Sequence, residues 1–187
     1  MLELGCGDNP RVAAGCVHYT GIDASQHALE ITGRKLQAYA ATFDPQRIIS
    51  PEGFTFSLEK RHLGFEPLNG PDSTFDFVLG DQFLEHVPRV AYSSLSGPFN
   101  PVIRLLNEVC RLARPNALVQ FNVPKWNSQE MWQDPTHCNP VPPNFWIYWD
   151  PADQWSIKKS YGIQGSLRLE ETVDCGWYHI FKLRNIK

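Results

Sequence analysis

The sequence has no apolar run long enough to cross a bilayer, no cysteine pair at redox or zinc-finger spacing, no excess of basic residues and no internal repeat. Each absence closes off a class of protein. A spanning helix needs about 20 apolar residues. The opening MLELGCGDNP also lacks the basic region and long apolar run of a signal peptide, so the chain is expected to be cytoplasmic. Five cysteines, at 6, 16, 110, 138 and 175, are odd in number and scattered, which reads as reduced thiols rather than a disulfide framework. Lysine and arginine number 17 against 20 aspartates and glutamates, so the positive surface that tracks a phosphate backbone is missing and bulk nucleic-acid binding is not expected. What remains is a chain of 187 residues, long enough to bury one core without metal or disulfide staples, and read as one domain, 1–187.

Apolar runs alternate along it with runs of helical period, the pattern of βα units that build a parallel sheet with helices on both faces. Seven strands are predicted: Met1 to Leu4, Val17 to Ile22, Phe54 to Leu58, Phe75 to Leu79, Ala117 to Val123, Ser166 to Thr172 and Trp177 to Leu183. The last two, joined through Asp174-Cys175-Gly176, imply an antiparallel edge. A short helical segment is expected around Arg11 to Ala14, a longer helix capped by Ser25 and ending before Pro45, an amphipathic helix over Val102 to Ala113, and a short one over Ala152 to Lys159. Two insertions interrupt this order, at about 88–101 and 124–151. The second holds six prolines and four tryptophans, too proline-rich for a regular element and too aromatic for a linker, so it reads as an ordered lid or substrate-facing loop.

Four stretches carry a resemblance over essentially the whole chain. The first is Leu2-Glu3-Leu4-Gly5-Cys6-Gly7-Asp8-Asn9-Pro10, an acidic residue followed by Gly-x-Gly at the end of a strand. The second is Tyr19-Thr20-Gly21-Ile22-Asp23-Ala24-Ser25, where a carboxylate closes the next strand. The third runs from Pro67-Leu68 through Phe75-Asp76-Phe77-Val78-Leu79-Gly80-Asp81 to Leu84-Glu85-His86, and the fourth is Asp134-Pro135-Thr136-His137-Cys138-Asn139-Pro140. Together they resemble the class I S-adenosylmethionine-dependent methyltransferases, in particular small bacterial and phage members with a methyltransferase type 11-like domain. The resemblance implies a doubly wound, mostly parallel, seven-stranded Rossmann-like sheet with helices on both faces. It also implies a helix ahead of the first strand, which the given sequence lacks, so the expectation is either that the chain is a truncated form or that a homo-oligomer or another partner supplies the cover.

For the cofactor, the resemblance implies S-adenosylmethionine, leaving as S-adenosylhomocysteine. Gly5, Cys6 and Gly7 would let the backbone pass close to it, where a side chain would intrude. Glu3 would lie beneath the turn, accepting hydrogen bonds from its amides or, through water, from the methionine ammonium. Asp23, with Ala24 beside it, would accept both vicinal ribose hydroxyls, since an ionised carboxylate is an acceptor for two donors at once. Relatives commonly carry an aspartate for the adenine amino group. His62-Leu63 stands there instead, so the backbone amides of that pair would hold the base. Gly80 and Asp81 would leave their strand at the height of the methionine moiety.

Chemistry at the acceptor is less sharply marked. His86 is either a general base facing the methyl group or a packed, capping histidine at a helix start. His137, a turn from Asp134, either deprotonates a hydroxyl, or binds a metal with Cys138, or simply locks its loop; no third ligand has sensible spacing, so no metal site is expected. Trp126, Trp132, Phe145, Trp146, Tyr148, Trp149 and Trp155 either stack on a sugar or planar acceptor or cover the end of the sheet. The implied reaction is displacement at the sulfonium methyl by an oxygen or nitrogen of a small molecule or sugar or glycan acceptor, where alignment does most of the work. The last stretch resembles ones in methyltransferases linked to glycan modification. Two other readings share these features: a nucleotide-cofactor Rossmann enzyme, which should also show a third glycine and a Tyr-x-x-x-Lys, and a weak or inactive methyltransferase-like binding protein.

Overall fold

Three residues organise the sheet. In the computed structural model, which describes residues 1–41, 53–95, 97–152 and 158–187, strand β1 is only Leu2–Leu4, and all three residues are buried. It runs parallel between β2 (His18–Asp23) and β4 (Phe75–Asp81), with Leu4 level with Ile22 on one side and Gly80 on the other. β3 (Thr55–Lys60) continues the parallel sheet beyond β2, and β7 (Ala113–Pro124) continues it beyond β4. The full order is β3-β2-β1-β4-β7-β9-β8, seven strands as the alternation predicts. β8 (Leu167–Asp174) and β9 (Tyr178–Asn185) form the antiparallel hairpin at that edge; β9 inserts against β7 and leaves β8 outermost.

Chain direction on this sheet dictates where the helices go. From β2 to β3 the chain moves one way through helix α1 (Gln26–Ala41), and from β4 to β7 it moves the other way through α2 (Pro101–Leu112). Right-handed crossovers in opposite directions put the two helices on opposite faces. The sequence starts both cleanly. Ser25 Oγ accepts from the Ala28 amide, and the Asn100 side chain accepts from Ile103 N with Pro101 at the first helical position, where its missing N–H costs nothing. α2 buries Val102, Leu105, Leu106, Val109 and Leu112 against Val78, Val119 and Phe121. Leu29 and Leu36 of α1 are buried outside that cluster, as expected of a helix on the other face. No described helix is long and apolar enough to cross a membrane.

Several local expectations change. Residues 11–14 are not helical; their backbone is used instead to close over Glu3. β3 and β4 run two residues further than the apolar runs that signal them, because the parallel ladder continues into polar residues at its carboxyl end. The first insertion contains a small antiparallel pair, β5 (Ala91–Ser93) and β6 (Gly97–Phe99). The second contains a one-turn helix α3 (Gln129–Gln133), capped by Ser128, and a 3₁₀ segment over Pro143–Trp149. The expected helix at Ala152 to Lys159, the end of the first long helix near Pro45, and Trp155 fall mostly outside the described residues; residues Lys158–Tyr161 form a 3₁₀ turn.

At the end of β9, Asn185 is fully buried, and its Nδ2 donates to the carbonyls of Cys110, Ala113 and Arg114, ending α2 on the sheet. Buried carbonyls without a donor cost about 1–3 kcal/mol. Asn185→Ala is therefore expected to lower stability to urea by about that amount without changing the far-ultraviolet dichroism of the folded protein.

Candidate functional site

Because Leu4, Ile22 and Gly80 are level, the turns that follow them leave the sheet side by side at its carboxyl edge. Strand order reverses between β1 and β4, which opens a crevice between their ends. Gly5 and Gly7 both hold positive φ, 65° and 53°, conformations that cost a side-chain-bearing residue but not glycine. A Cβ on Gly5 would come within 2.3 Å of the Phe83 ring, so this glycine is also demanded by packing. The turn is held from three directions. Gly5 and Cys6 amides donate to the Ile22 carbonyl, the buried Thr32 hydroxyl of α1 donates to the Gly7 carbonyl, and the Gly7 amide donates to Asp23 Oδ2 at 2.9 Å.

Asp23 lies half-buried at the last position of β2, with its other oxygen accepting from Ser25 N at 2.7 Å. A carboxylate has about four acceptor positions. Two are taken by these amides, and two remain for a ligand. Ala24 is exposed beside it. His62 and Leu63 follow β3, next to Asp23, whose carbonyl accepts from Arg61 N. Leu63 is buried, and the His62 amide is already committed to Glu66 at 3.0 Å.

Glu3 is buried beneath the turn, as expected, but its partners differ. Its Oε2 accepts from the Tyr19 hydroxyl at 2.5 Å and the Arg11 amide at 2.8 Å, not from the glycine amides. Burial raises the Glu3 carboxyl above its usual range, opposed by those two hydrogen bonds. It also pushes the Cys6 thiol up to about 12, leaving it inert. Across the crevice, Asp81 accepts from Asn122 Nδ2 at 2.7 Å and forms an ion pair with Arg11 Nε at 3.1 Å. Gly80 is explained by the core, since a Cβ there would meet the buried Phe121 ring at 2.7 Å.

Beyond β4 the chain turns sharply through Gln82, whose φ of 50° is unusual for a side-chain-bearing residue, and enters the 3₁₀ turn Leu84–His86. Residues 134–140 dock onto that turn. The Glu85 carbonyl accepts from the Cys138 and Asn139 amides, and buried Asn139 donates to the Leu84 carbonyl. This brings His86 and His137 together, with ring centroids 4.7 Å apart and nearly perpendicular planes.

Their tautomers follow from their partners. Thr136 Oγ1 donates its only proton to Asp134 Oδ1 at 2.6 Å, so its 3.0 Å contact with His86 Nδ1 requires that nitrogen to be the donor. His137 Nδ1 faces the Met131 carbonyl at 3.1 Å and must likewise donate. Each imidazole, when neutral, is left with its lone pair on Nε2. Burial, then the neighbouring His137, lowers the His86 pKa and favours the neutral ring.

Glu85 is the residue that spacing did not single out. It is 1% exposed, and neither carboxylate oxygen has a hydrogen-bond partner among the described residues. Burial, with the negative charges of Asp81 and Asp134 adding to it, pushes its carboxyl up to about 8. Cys138, the metal ligand that adjacency in sequence suggested for His137, instead turns its thiol to the His86 carbonyl at 3.5 Å. Beside His137 lies a cavity of about 360 Å³ lined by Gln82, Pro124, Glu130, Gln133, Asp134, His137 and Trp177.

The aromatic residues divide between the two roles open to them. Trp146 and Trp149 are core, Trp146 stacking on Phe121 with ring centroids 5.6 Å apart, whereas Trp126, Trp132 and Tyr148 remain exposed. Lys158, which reads as a solvated residue, donates to the Trp149 carbonyl and Ser166.

This sheet order, with a glycine turn and a carboxylate adjacent at the carboxyl ends of the strands, defines the Rossmann-like methyltransferase class of fold. Residues 1–162 match the family described as methyltransferase domain, and the chain belongs to that family. It is similar in structure to an S-adenosylmethionine-dependent methyltransferase from Methanosarcina mazei, with a TM-score of 0.61 over 99% of this chain and 91% of the other at 15% identity. The N-methyltransferase NodS from Bradyrhizobium japonicum, in complex with S-adenosyl-L-homocysteine, gives a TM-score of 0.62 over 100% and 77% at 13% identity. The [4+2]-cyclase SpnF gives 0.62 over 99% and 73% at 14% identity, so the fold by itself does not fix the reaction. A search of curated proteins found no match.

The Glu3 shift has a consequence for stability. A carboxyl whose folded pKa is raised contributes stability fully below its unfolded value, near 4.5, and loses that contribution as pH rises through the folded value. Glu3→Gln, which keeps an acceptor but no charge, should therefore gain on the parent as pH rises above about 4.5. Urea unfolding of both proteins from pH 4 to 8 checks this; a difference independent of pH would contradict it.

Proposed function

We propose that this chain transfers a methyl group from S-adenosylmethionine to an oxygen or nitrogen of a small-molecule or sugar acceptor. One observation carries the cofactor reading: Asp23, level with the glycine turn and tied to Gly7 N, keeps half its acceptor capacity for two vicinal hydroxyls. Ribose supplies that pair. The adenine edge meets the segment His62-Leu63, and the methionine end reaches toward Gly5, Gly80 and Asp81, where Arg11 stands near enough to meet its carboxylate. NodS holding the demethylated cofactor in the same fold supports this assignment.

The acceptor enters the cavity beside His137. Its volume is in the range of small-molecule sites, and its wall combines an indole with two carboxylates and two side-chain amides. That mixture suits a hydroxyl-rich ring, whose C–H face packs on Trp177 while its hydroxyls donate to Glu130 and Asp134. The likeness of Asp134-Pro135-Thr136-His137 to a stretch in small bacterial and phage methyltransferases, some of them linked to glycan or sugar modification, is in keeping with this.

In the transfer, an acceptor lone pair attacks the methyl carbon, the carbon–sulfur bond breaks, and its electron pair stays on sulfur to give S-adenosylhomocysteine. The acceptor's proton must leave. Nε2 of His86 or His137 has the free lone pair to take it.

Calorimetric titration tests the cofactor claim. The parent should bind S-adenosylmethionine and not NAD, and Asp23→Ala should bind about ten- to a hundredfold more weakly, the value of one or two charge-assisted hydrogen bonds. A parent that fails to bind S-adenosylmethionine, or an Asp23→Ala variant of undiminished affinity, would overturn the reading.

A further inference from the structure

We propose that Glu85, His86 and His137 form a binding site for a divalent transition-metal ion of the Zn²⁺, Co²⁺ or Mn²⁺ kind. A ligating atom from each lies within 4.8 Å of the others, close enough to converge on one ion. Distance alone would not distinguish this from a chance cluster, and two further features do.

The first is Glu85. Buried carboxylates are paired, hydrogen-bonded or coordinated to metal, because removing the charge from water without compensation is costly. Here the side chain is 1% exposed, both oxygens lack a partner among the described residues, and the group lies beside two imidazoles. An ion between them gives those oxygens a partner that the described residues do not. The second is the orientation of the histidines. Metal-bound imidazoles usually donate their other ring N–H to a carbonyl, carboxylate or hydroxyl, which fixes the tautomer and aims the lone pair. His137 does this through the Met131 carbonyl, and His86 through Thr136, itself held by Asp134. Asp134 Oδ2, 3.7 Å from His137 Nε2, adds negative charge beside the donors.

Two imidazole nitrogens and one carboxylate suit borderline transition ions; magnesium and calcium favour all-oxygen sets. Three protein ligands leave at least one coordination position open. His137 belongs both to this donor set and to the wall of the acceptor cavity, so the open position borders that cavity. With both Nε2 lone pairs on the ion, the histidines no longer serve as the base; an acceptor hydroxyl bound at the open position instead becomes more acidic and loses its proton to solvent. That consequence rests on the acceptor reading above; the metal site itself does not.

Tag-free protein, freed of metal with a chelator and dialysed, should be titrated with CoCl₂, followed by calorimetry and visible absorption, and then with ZnCl₂. A single equivalent of Co²⁺ should bind, with ligand-field bands that Zn²⁺ abolishes. Glu85→Gln and His137→Ala should each weaken Co²⁺ binding by at least about tenfold, with thermal melting of the metal-free variants near that of the parent. Should Glu85→Gln fail to fold, His137→Ala, at a site less enclosed by the core, carries the test. A parent that binds neither ion more tightly than millimolar, or variants that bind Co²⁺ as the parent does, would overturn the proposal. S-adenosylmethionine affinity, measured on the same metal-free samples, separates the outcomes, since its loss would sink the cofactor reading and leave this one standing.

Discussion

The shortest strand of the sheet constrains everything built on it. β1 is three residues long and buried, and its parallel registers with β2 and β4 make Leu4, Ile22 and Gly80 level. A parallel ladder transmits that alignment to whatever follows each strand. Gly5, Asp23 and Asp81 are consequently neighbours at one edge of the sheet, though they come from segments tens of residues apart. Shifting β1 by one residue would exchange the faces of Leu2, Glu3 and Leu4, placing a carboxylate in the main core and two leucines beneath the turn. The hydrophobic demand of Leu2 and Leu4 on one face therefore sets the position of the cofactor turn as well.

A second contact builds the acceptor side. Residues 134–140 and the turn Leu84–His86 satisfy one another's backbone groups through the Glu85 and Leu84 carbonyls, the Cys138 and Asn139 amides and the buried Asn139 side chain. Because these are backbone interactions, the docking does not depend on the chemistry it assembles. It nonetheless places His86 against His137 and closes Glu85 off from solvent. Thr136 and Asp134 then determine which nitrogen of His86 keeps its lone pair. The stretch Asp134 to Asn139 thus serves as clamp, orienting shell and cavity wall together.

Electrostatics within the crevice are balanced locally. Glu3 and Asp81, two carboxylates near the same floor, are tempered by Arg11, whose amide serves one and whose guanidinium serves the other. This explains why residues 11–14 abandon the helix that Asn9-Pro10 invites: their backbone has a buried acceptor to satisfy. The Glu85 carboxylate accepts no hydrogen bond among the described residues, and that is what separates it from Glu3.

Local signals in the chain were sufficient for the strand order's ingredients, the glycine turn and Asp23, because turns, caps and period depend on residues close in sequence. Apolar alternation marked seven strands, helical period over Val102 to Ala113 marked α2, and Gly5 and Gly7 marked a backbone that only glycine adopts freely. The partners of Glu3, the division of the tryptophans into core and surface, and the meeting of Glu85 with two histidines were decided by tertiary structure alone. His86 and His137 lie fifty-one positions apart and are joined by hydrogen bonds between backbones, which carry no residue code. Glu85 reads as an ordinary polar residue of a helix start; its significance comes from burial, a property of what packs over it and not of the residue itself.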